Sequence, residues 1–168
     1  MRQAGEAAMG FICAARYGWG THFPLIQDIL TSVYAQGKGA GPERDVGTQF
    51  WNVGLLRALL TTEGIRTAMR QFGNQPLTGA QVQWGLEHLS LTATRLKELG
   101  AEGLISPITL SCRDHEGGGG VKFQQWDGKQ WTVLTDWMAP DQALVRPLVE
   151  ASAAKYAQEK GITPRDCP

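Results

Sequence analysis

The feature that most limits this chain is a strand with no obvious neighbour. Gly10-Phe11-Ile12-Cys13-Ala14-Ala15 is a short, continuous apolar run bounded by glycines, the pattern of a buried strand. No second convincing strand-like run follows until Ile108. A buried parallel strand needs partners, and a crossover helix normally leads straight to one. A lone strand feeding several helices is expected where the rest of its sheet lies elsewhere, here before Met1, which points to an incomplete unit.

The intervening segment reads as helices. Pro24 suits a first helical turn, and Ile26, Ile29, Leu30, Val33 and Tyr34 follow at spacings of three and four. The longest periodic stretch, 48–72, sets Leu55, Leu59, Thr62, Ile65, Met69 and Phe72 on a core-facing stripe. Asn52, Glu63, Arg66 and Arg70 fall on the wetter side. Gly54 and Gly64 lower helix propensity, so both are expected at close backbone approaches. Thr78-Gly79-Ala80-Gln81 has capping-box form, and a helix with Val82, Leu86 and Leu89 on one side follows it. A short helical piece over 94–99 ends at Gly100.

Beyond this the character changes. Residues 108–112 are strand-like, and the runs 120–126 and 131–137 flank Asp127-Gly128-Lys129-Gln130, a hairpin signal. Residues 141–160 are helical in composition, with an interruption expected at Pro147 and a stop at Gly161.

Composition removes several classes of function. With 42% apolar and 19% charged residues the chain is not of the disordered kind. Sixteen basic side chains balance sixteen acidic ones without a Lys/Arg stripe, so no nucleic-acid partner is expected. No apolar run approaches the roughly 20 residues that span a bilayer. No hydrophobic region follows the opening Met1-Arg2, so that opening does not read as a signal peptide. Cys13, inside the apolar run, reads as a buried thiol. Cys112 and Cys167 sit among Pro, Gly and charged residues, where they either pair or stay free; pairing would imply an oxidising compartment.

The order of elements carries a likeness. Strand, Pro-started helix, Gly/Pro loop, a long helix opening on Trp51-Asn52-Val53-Gly54, a capped helix, Gly103-Leu104-Ile105-Ser106-Pro107-Ile108, and a hairpin on Gln125-Trp126-Asp127-Gly128 follow one another. This order is similar to the closing portion of the type I periplasmic solute-binding proteins of branched-chain amino acid, amide and aromatic-acid ABC transporters. The resemblance implies an α/β fold, part of a three-layer αβα lobe plus a C-terminal hairpin and helix, spanning residues 1–168 as one portion of a two-lobed domain. It implies a periplasmic parent protein without cofactors, a small amino acid, amide or aromatic carboxylate bound between lobes, and a membrane permease as partner.

Within that likeness, the start of the long helix is the place for ligand contacts. Thr48, Gln49, Phe50 and Asn52 offer hydroxyl, amide and aromatic groups beside helix N–H groups that favour a carboxylate. Tyr17 and Trp19, in a strand-to-helix loop, are second candidates. Each of these also suits plain core packing. Trp126, Trp131 and Trp137 read as structural, sealing a sheet.

Catalysis finds no complete set. Cys112-Arg113-Asp114-His115-Glu116 lacks the second ligand pair of a zinc site, and no nucleophile can be tied to His115. Gly117–Gly120 leads into a strand where a phosphate loop would enter a helix. No metal and no enzymatic activity are expected. A ligand-sensing regulatory module of the same bilobed fold is the alternative, and the close at Thr163–Pro168 favours transport over it. An incomplete lobe is further expected to expose the 55–72 stripe and to self-associate.

Overall fold

The computed structural model describes residues 4–167. Its helical part forms where local signals are strong. Helix α1 (Pro24–Ser32) starts with proline at its first position after an extended Phe23, and buries Ile26 completely. Ile29, Leu30, Val33 and Tyr34 lie half-buried around it, the face expected from their spacing. Helix α2 (Gln49–Phe72) has 24 residues. Helix α3 (Gly79–Glu87) carries the expected capping box: the Gln81 amide N–H donates to Thr78 Oγ1 at 3.3 Å, and the Thr78 N–H donates to Gln81 Oε1 at 2.8 Å. Helix α4 (Ala93–Glu98) is capped by Thr92, whose hydroxyl accepts from the Arg95 N–H at 3.1 Å.

Two short strands, β2 (Ser90–Leu91) and β3 (Ile108–Thr109), pair antiparallel beside these helices. The core lies here, built on Phe23, Ile26, Leu56, Leu89, Leu96 and Leu104. The expected strand over 108–112 stops after two residues, because Ser111 and Asp114 close a turn through reciprocal backbone hydrogen bonds.

Helix α2 departs from its hydropathy reading. Its buried positions are Asn52, Leu56, Glu63, Gly64 and Ala68, whereas Thr62 is exposed and Leu55, Leu59, Ile65, Met69 and Phe72 are only partly covered. Helix α3 explains the rotation. A Cβ on Gly85 would collide with the Gly64 carbonyl and the Ala68 side chain, so the two backbones touch along the Gly64–Ala68 side. Small residues permit that approach, and Glu63 is carried inward beside them. Gly64 therefore meets the expectation of close packing. Gly54 does not, since a Cβ there would face open space.

The remaining strands, β1 (Ile12–Ala15), β4 (Lys122–Trp126) and β5 (Trp131–Val133), form an antiparallel sheet in the order β1-β4-β5. The neighbour expected upstream of β1 thus lies downstream in the same chain, with Ile12 opposite Gln125. Nor is β1 wholly buried: only Ala15 is inside, Cys13 is half-covered and Ile12 is 51% exposed, as is Phe11 just before it at 49%. The hairpin forms as its sequence indicates. Gly128 takes φ +101° and Asp127 accepts from the backbone N–H groups of Lys129 and Gln130, both at 2.8 Å. Strand β5 ends at Val133, short of Trp137, because the Thr135 hydroxyl takes the Phe123 N–H at 3.0 Å and replaces a ladder bond.

Helix α5 (Gln142–Lys160) runs through Pro147 without interruption. Proline there removes a single N–H, and the Asp141 cap on the Leu144 N–H at 3.2 Å holds the preceding turn. Gly161, left-handed at φ 62°, ends it as expected. No residue of α5 is buried. The segment after it returns to the body, where Cys112 and Cys167 form a disulfide with Cα atoms 5.4 Å apart. Arg146 pairs with Asp114 at 2.9 Å, and Arg165 reaches Glu87 on α3.

Candidate functional site

Asn52 ties together two of the places that the sequence singled out. Fully buried near the start of α2, its Nδ2 donates to the Gly18 carbonyl at 3.0 Å and the Gly20 carbonyl at 3.3 Å. These carbonyls flank Trp19, so the loop 17–20 is pinned against the helix start. The clamp is tight elsewhere too. The Gly18 N–H donates to the Leu104 carbonyl at 2.7 Å, and the Gly20 N–H to the Gly47 carbonyl at 3.0 Å. A Cβ on Gly18 would collide with the Phe23 ring, so only glycine allows this course.

The candidate residues divide into two groups. Asn52 is wholly inside and Tyr17 and Trp19 are partly covered, with Tyr17 packed against the core. Gln49 and Phe50 point outward, and Phe50 is 87% exposed. Thr48 is the N-cap residue of α2, yet its hydroxyl donates to the Asp45 carbonyl at 2.7 Å and makes no cap bond. The first N–H groups of α2 therefore have no side-chain cap, and the positive end of a 24-residue helix dipole lies beside two free side chains.

Trp19 connects this corner to the sheet. Its ring lies 6.0 Å from Trp131, which also meets Phe11 at 6.2 Å and Trp126 at 5.5 Å, the latter two edge-on. Trp126 is buried and donates its indole N–H to the Gly5 carbonyl at 2.8 Å, the structural role expected of it. Two buried polar side-chain atoms lack a protein partner among the described residues, Trp19 Nε1 and Asn52 Oδ1. Both belong to this corner, and unpaired buried polar atoms are rare enough to mark a place where water or a ligand completes the bonding.

Sequence reasoning missed a second polar centre. Glu63 is buried between Arg95, whose Nε donates to Oε2 at 2.8 Å, and Arg66, whose guanidinium lies 2.6 Å from Oε1. The hydrogen bond from Arg95 is the main cause of a carboxyl pKa below the ordinary value; burial opposes the shift without cancelling it. The Arg66 pairing was legible as an i,i+3 spacing. The Arg95 pairing was not, because it depends on how α4 meets α2. Around Cys112–Glu116, Cys112 and Asp114 hold the C-terminal segment, through the disulfide and Arg146, while exposed His115 lies 3.3 Å from Glu87 on α3.

With this geometry in place, two solved structures bear comparison. Over its whole length the chain superposes on part of a protein from the Pseudomonas fluorescens group described as an ABC transporter permease, with a TM-score of 0.93 and 41% identity. The match covers 41% of that protein. Over 82% of its length the chain also superposes on 35% of a branched-chain amino acid ABC transporter protein from Thermus thermophilus with bound valine, with a TM-score of 0.60 and 21% identity. Both are ABC transporter proteins, and the second shows that the chain has part of that protein's α/β fold. No protein-family model and no curated protein matches the sequence.

Proposed function

We propose that this chain is part of the substrate-binding component of an ABC-type uptake transporter, which captures a small amino acid, amide or aromatic carboxylate between two lobes. One observation carries the reading: 41% identity and full-length superposition on part of an ABC transporter protein. The fold shared with the valine-bound Thermus thermophilus protein supports it. The role is binding and delivery to a membrane permease, not catalysis. Among the described residues no helix is long and apolar enough to cross a membrane, which suits a component working beside a permease. The Cys112–Cys167 disulfide favours an oxidising compartment such as the periplasm.

The ligand's carboxylate would face the uncapped first turn of α2, where helix N–H groups attract an anion. Gln49 and Phe50 would supply an amide and an aromatic face, and Asn52 would hold the loop of Tyr17 and Trp19 in position. Because closure draws its energy from contacts with both lobes, one wall of a cleft binds weakly.

Calorimetry with L-valine, L-phenylalanine and benzoate tests this, using both this chain and the complete product of its gene. The expected result is no measurable heat at millimolar ligand for the chain, against tight binding of at least one ligand by the complete product. Replacing Gln49 and Phe50 by alanine in the latter should weaken binding without altering its melting. Silence of the complete product towards the whole panel would overturn the proposal, and sub-millimolar binding by this chain alone would refute the need for a second wall.

A further inference from the structure

The Glu63 centre opens onto the surface at the far end of α2 from the candidate ligand corner. A shallow depression of about 650 Å³ is lined by Arg66, Met69, Arg70, Asn74, Arg95 and Glu98. From Asn52 to Arg70 the helix advances about 27 Å, at roughly 1.5 Å per residue. This depression is therefore separate from the corner that would hold a small ligand.

Its chemistry is that of an anion receiver. Three guanidiniums stand against two carboxylates, Glu63 and Glu98, in a chain whose formal net charge is +0. Glu63 lies behind the rim and orients Arg66 and Arg95 with hydrogen bonds of 2.6 to 3.0 Å. Arg95 is further fixed by Glu98 at 2.9 Å. Arg70 has no carboxylate partner among the described residues; its Nε donates to the Arg66 carbonyl at 3.3 Å and its Nη2 to Thr67 Oγ1 at 3.4 Å. A guanidinium has five N–H donors, so all three arginines keep donors free for the open side. Met69 adds an apolar contact and Asn74 an amide.

We propose that this depression between the C-terminal half of α2 and α4 docks an acidic segment of a partner protein, with carboxylates received by Arg66, Arg70 and Arg95. Guanidiniums already oriented by a buried carboxylate lose little freedom when a second carboxylate arrives, and forked donors suit that group. A depression of about 650 Å³ suits a short peptide better than one small anion. The proposal is independent of the ligand reading above, since it uses the opposite end of α2.

A fluorescein-labelled acetyl-hexaglutamate peptide serves as the probe, titrated into the full chain at low salt and followed by anisotropy. Resonances of the three arginine Nε–H groups are recorded in parallel. Binding should shift all three resonances and weaken with rising salt. Arg70→Gln should weaken it roughly tenfold, because a rim charge facing the peptide is lost. Arg70 takes part in no ion pair among the described residues, so this variant leaves folding intact. Arg66→Gln should weaken binding similarly, with its melting curve as the control. Equal affinity of wild type and Arg70→Gln would overturn the proposal. So would inorganic phosphate competing at equal concentration, which would make this a small-anion site. Adsorption to phosphatidylglycerol vesicles without peptide binding would also overturn it, in favour of a membrane.

Discussion

The chain holds its first hundred residues and its last thirty together by different means. In the former, α1 to α4 enclose a common core, closed by Leu104 just beyond them, in which Ile26 and Leu104 are wholly out of water. In the latter, α5 buries nothing and leaves Leu144 65% and Leu148 67% exposed. What retains it is polar and covalent: the Asp141 cap, the Arg146–Asp114 pair, the Arg165–Glu87 pair, and the disulfide beyond its end. The lesson concerns cooperativity. Apolar burial couples every element that shares the core, whereas a covalent tether restrains a segment without making it part of the same packing unit.

The largest loss of stability is expected in the core. Ile26→Ala should cost about 2–5 kcal/mol, the usual range for emptying a fully buried aliphatic site. Urea unfolding followed by tryptophan fluorescence checks this, and a loss below about 1 kcal/mol would mean that the site collapses around the gap. The tether comes next. Cys112→Ser with Cys167→Ser removes a cross-link spanning 55 residues, for which chain entropy alone allows about 4 kcal/mol. Its effect should be greatest in its own region: amide exchange over 142–167 accelerates more than that of α2, which feels only the shared loss of global stability. Equal loss of protection in α2 and α5 would show that the two regions unfold as one, and the comparison would fail.

The division also separates what the sequence disclosed from what it did not. Features set by neighbours along the chain were legible: proline opening α1, the Thr78–Gln81 box, the Asp127-Gly128 turn, the stop at Gly161. Features set by pairing across the chain were not. Strand β1 reads as the buried member of a parallel sheet, yet it lies antiparallel to β4 and only partly covered, since an apolar run records a wish for cover without saying what provides it. Hydropathy placed Glu63 in water, because no periodicity reveals that Gly64 and Gly85 pull α2 and α3 together or that Arg95 waits behind them. At the candidate site, the residue types at 48–52 and 17–19 were readable. The two hydrogen bonds by which Asn52 joins those segments, and the outward course of Phe50, depend on tertiary geometry.

In the core region too a polar contact joins elements, through Glu63. Glu63→Gln keeps the shape but leaves Arg95 facing a neutral amide, and a loss of about 1–3 kcal/mol is expected. The pH dependence has a definite sign. Bonds from Arg95 and Arg66 hold the folded carboxyl below its unfolded value, so its contribution is complete above about 4.3 and declines as pH falls through the lower folded value. Wild-type stability measured between neutral pH and pH 3 should therefore fall more than that of Glu63→Gln. Parallel curves would show that the pair contributes no linkage.

The smallest effect is expected where apolar content is greatest and cover least. Leu148 lies mid-helix on α5, 67% exposed, and loses almost no burial if changed to serine. Leu148→Ser should alter unfolding free energy by less than about 0.5 kcal/mol, as surface substitutions usually do. The same change at Leu104, whose side chain is wholly buried, removes a large apolar group and inserts a hydroxyl without a partner. Two leucine-to-serine substitutions, identical in chemistry, thus measure only the difference in cover. If Leu148→Ser destabilised the chain by as much as about 2 kcal/mol, α5 would be packed against something in solution, and tethering would no longer explain how it is held.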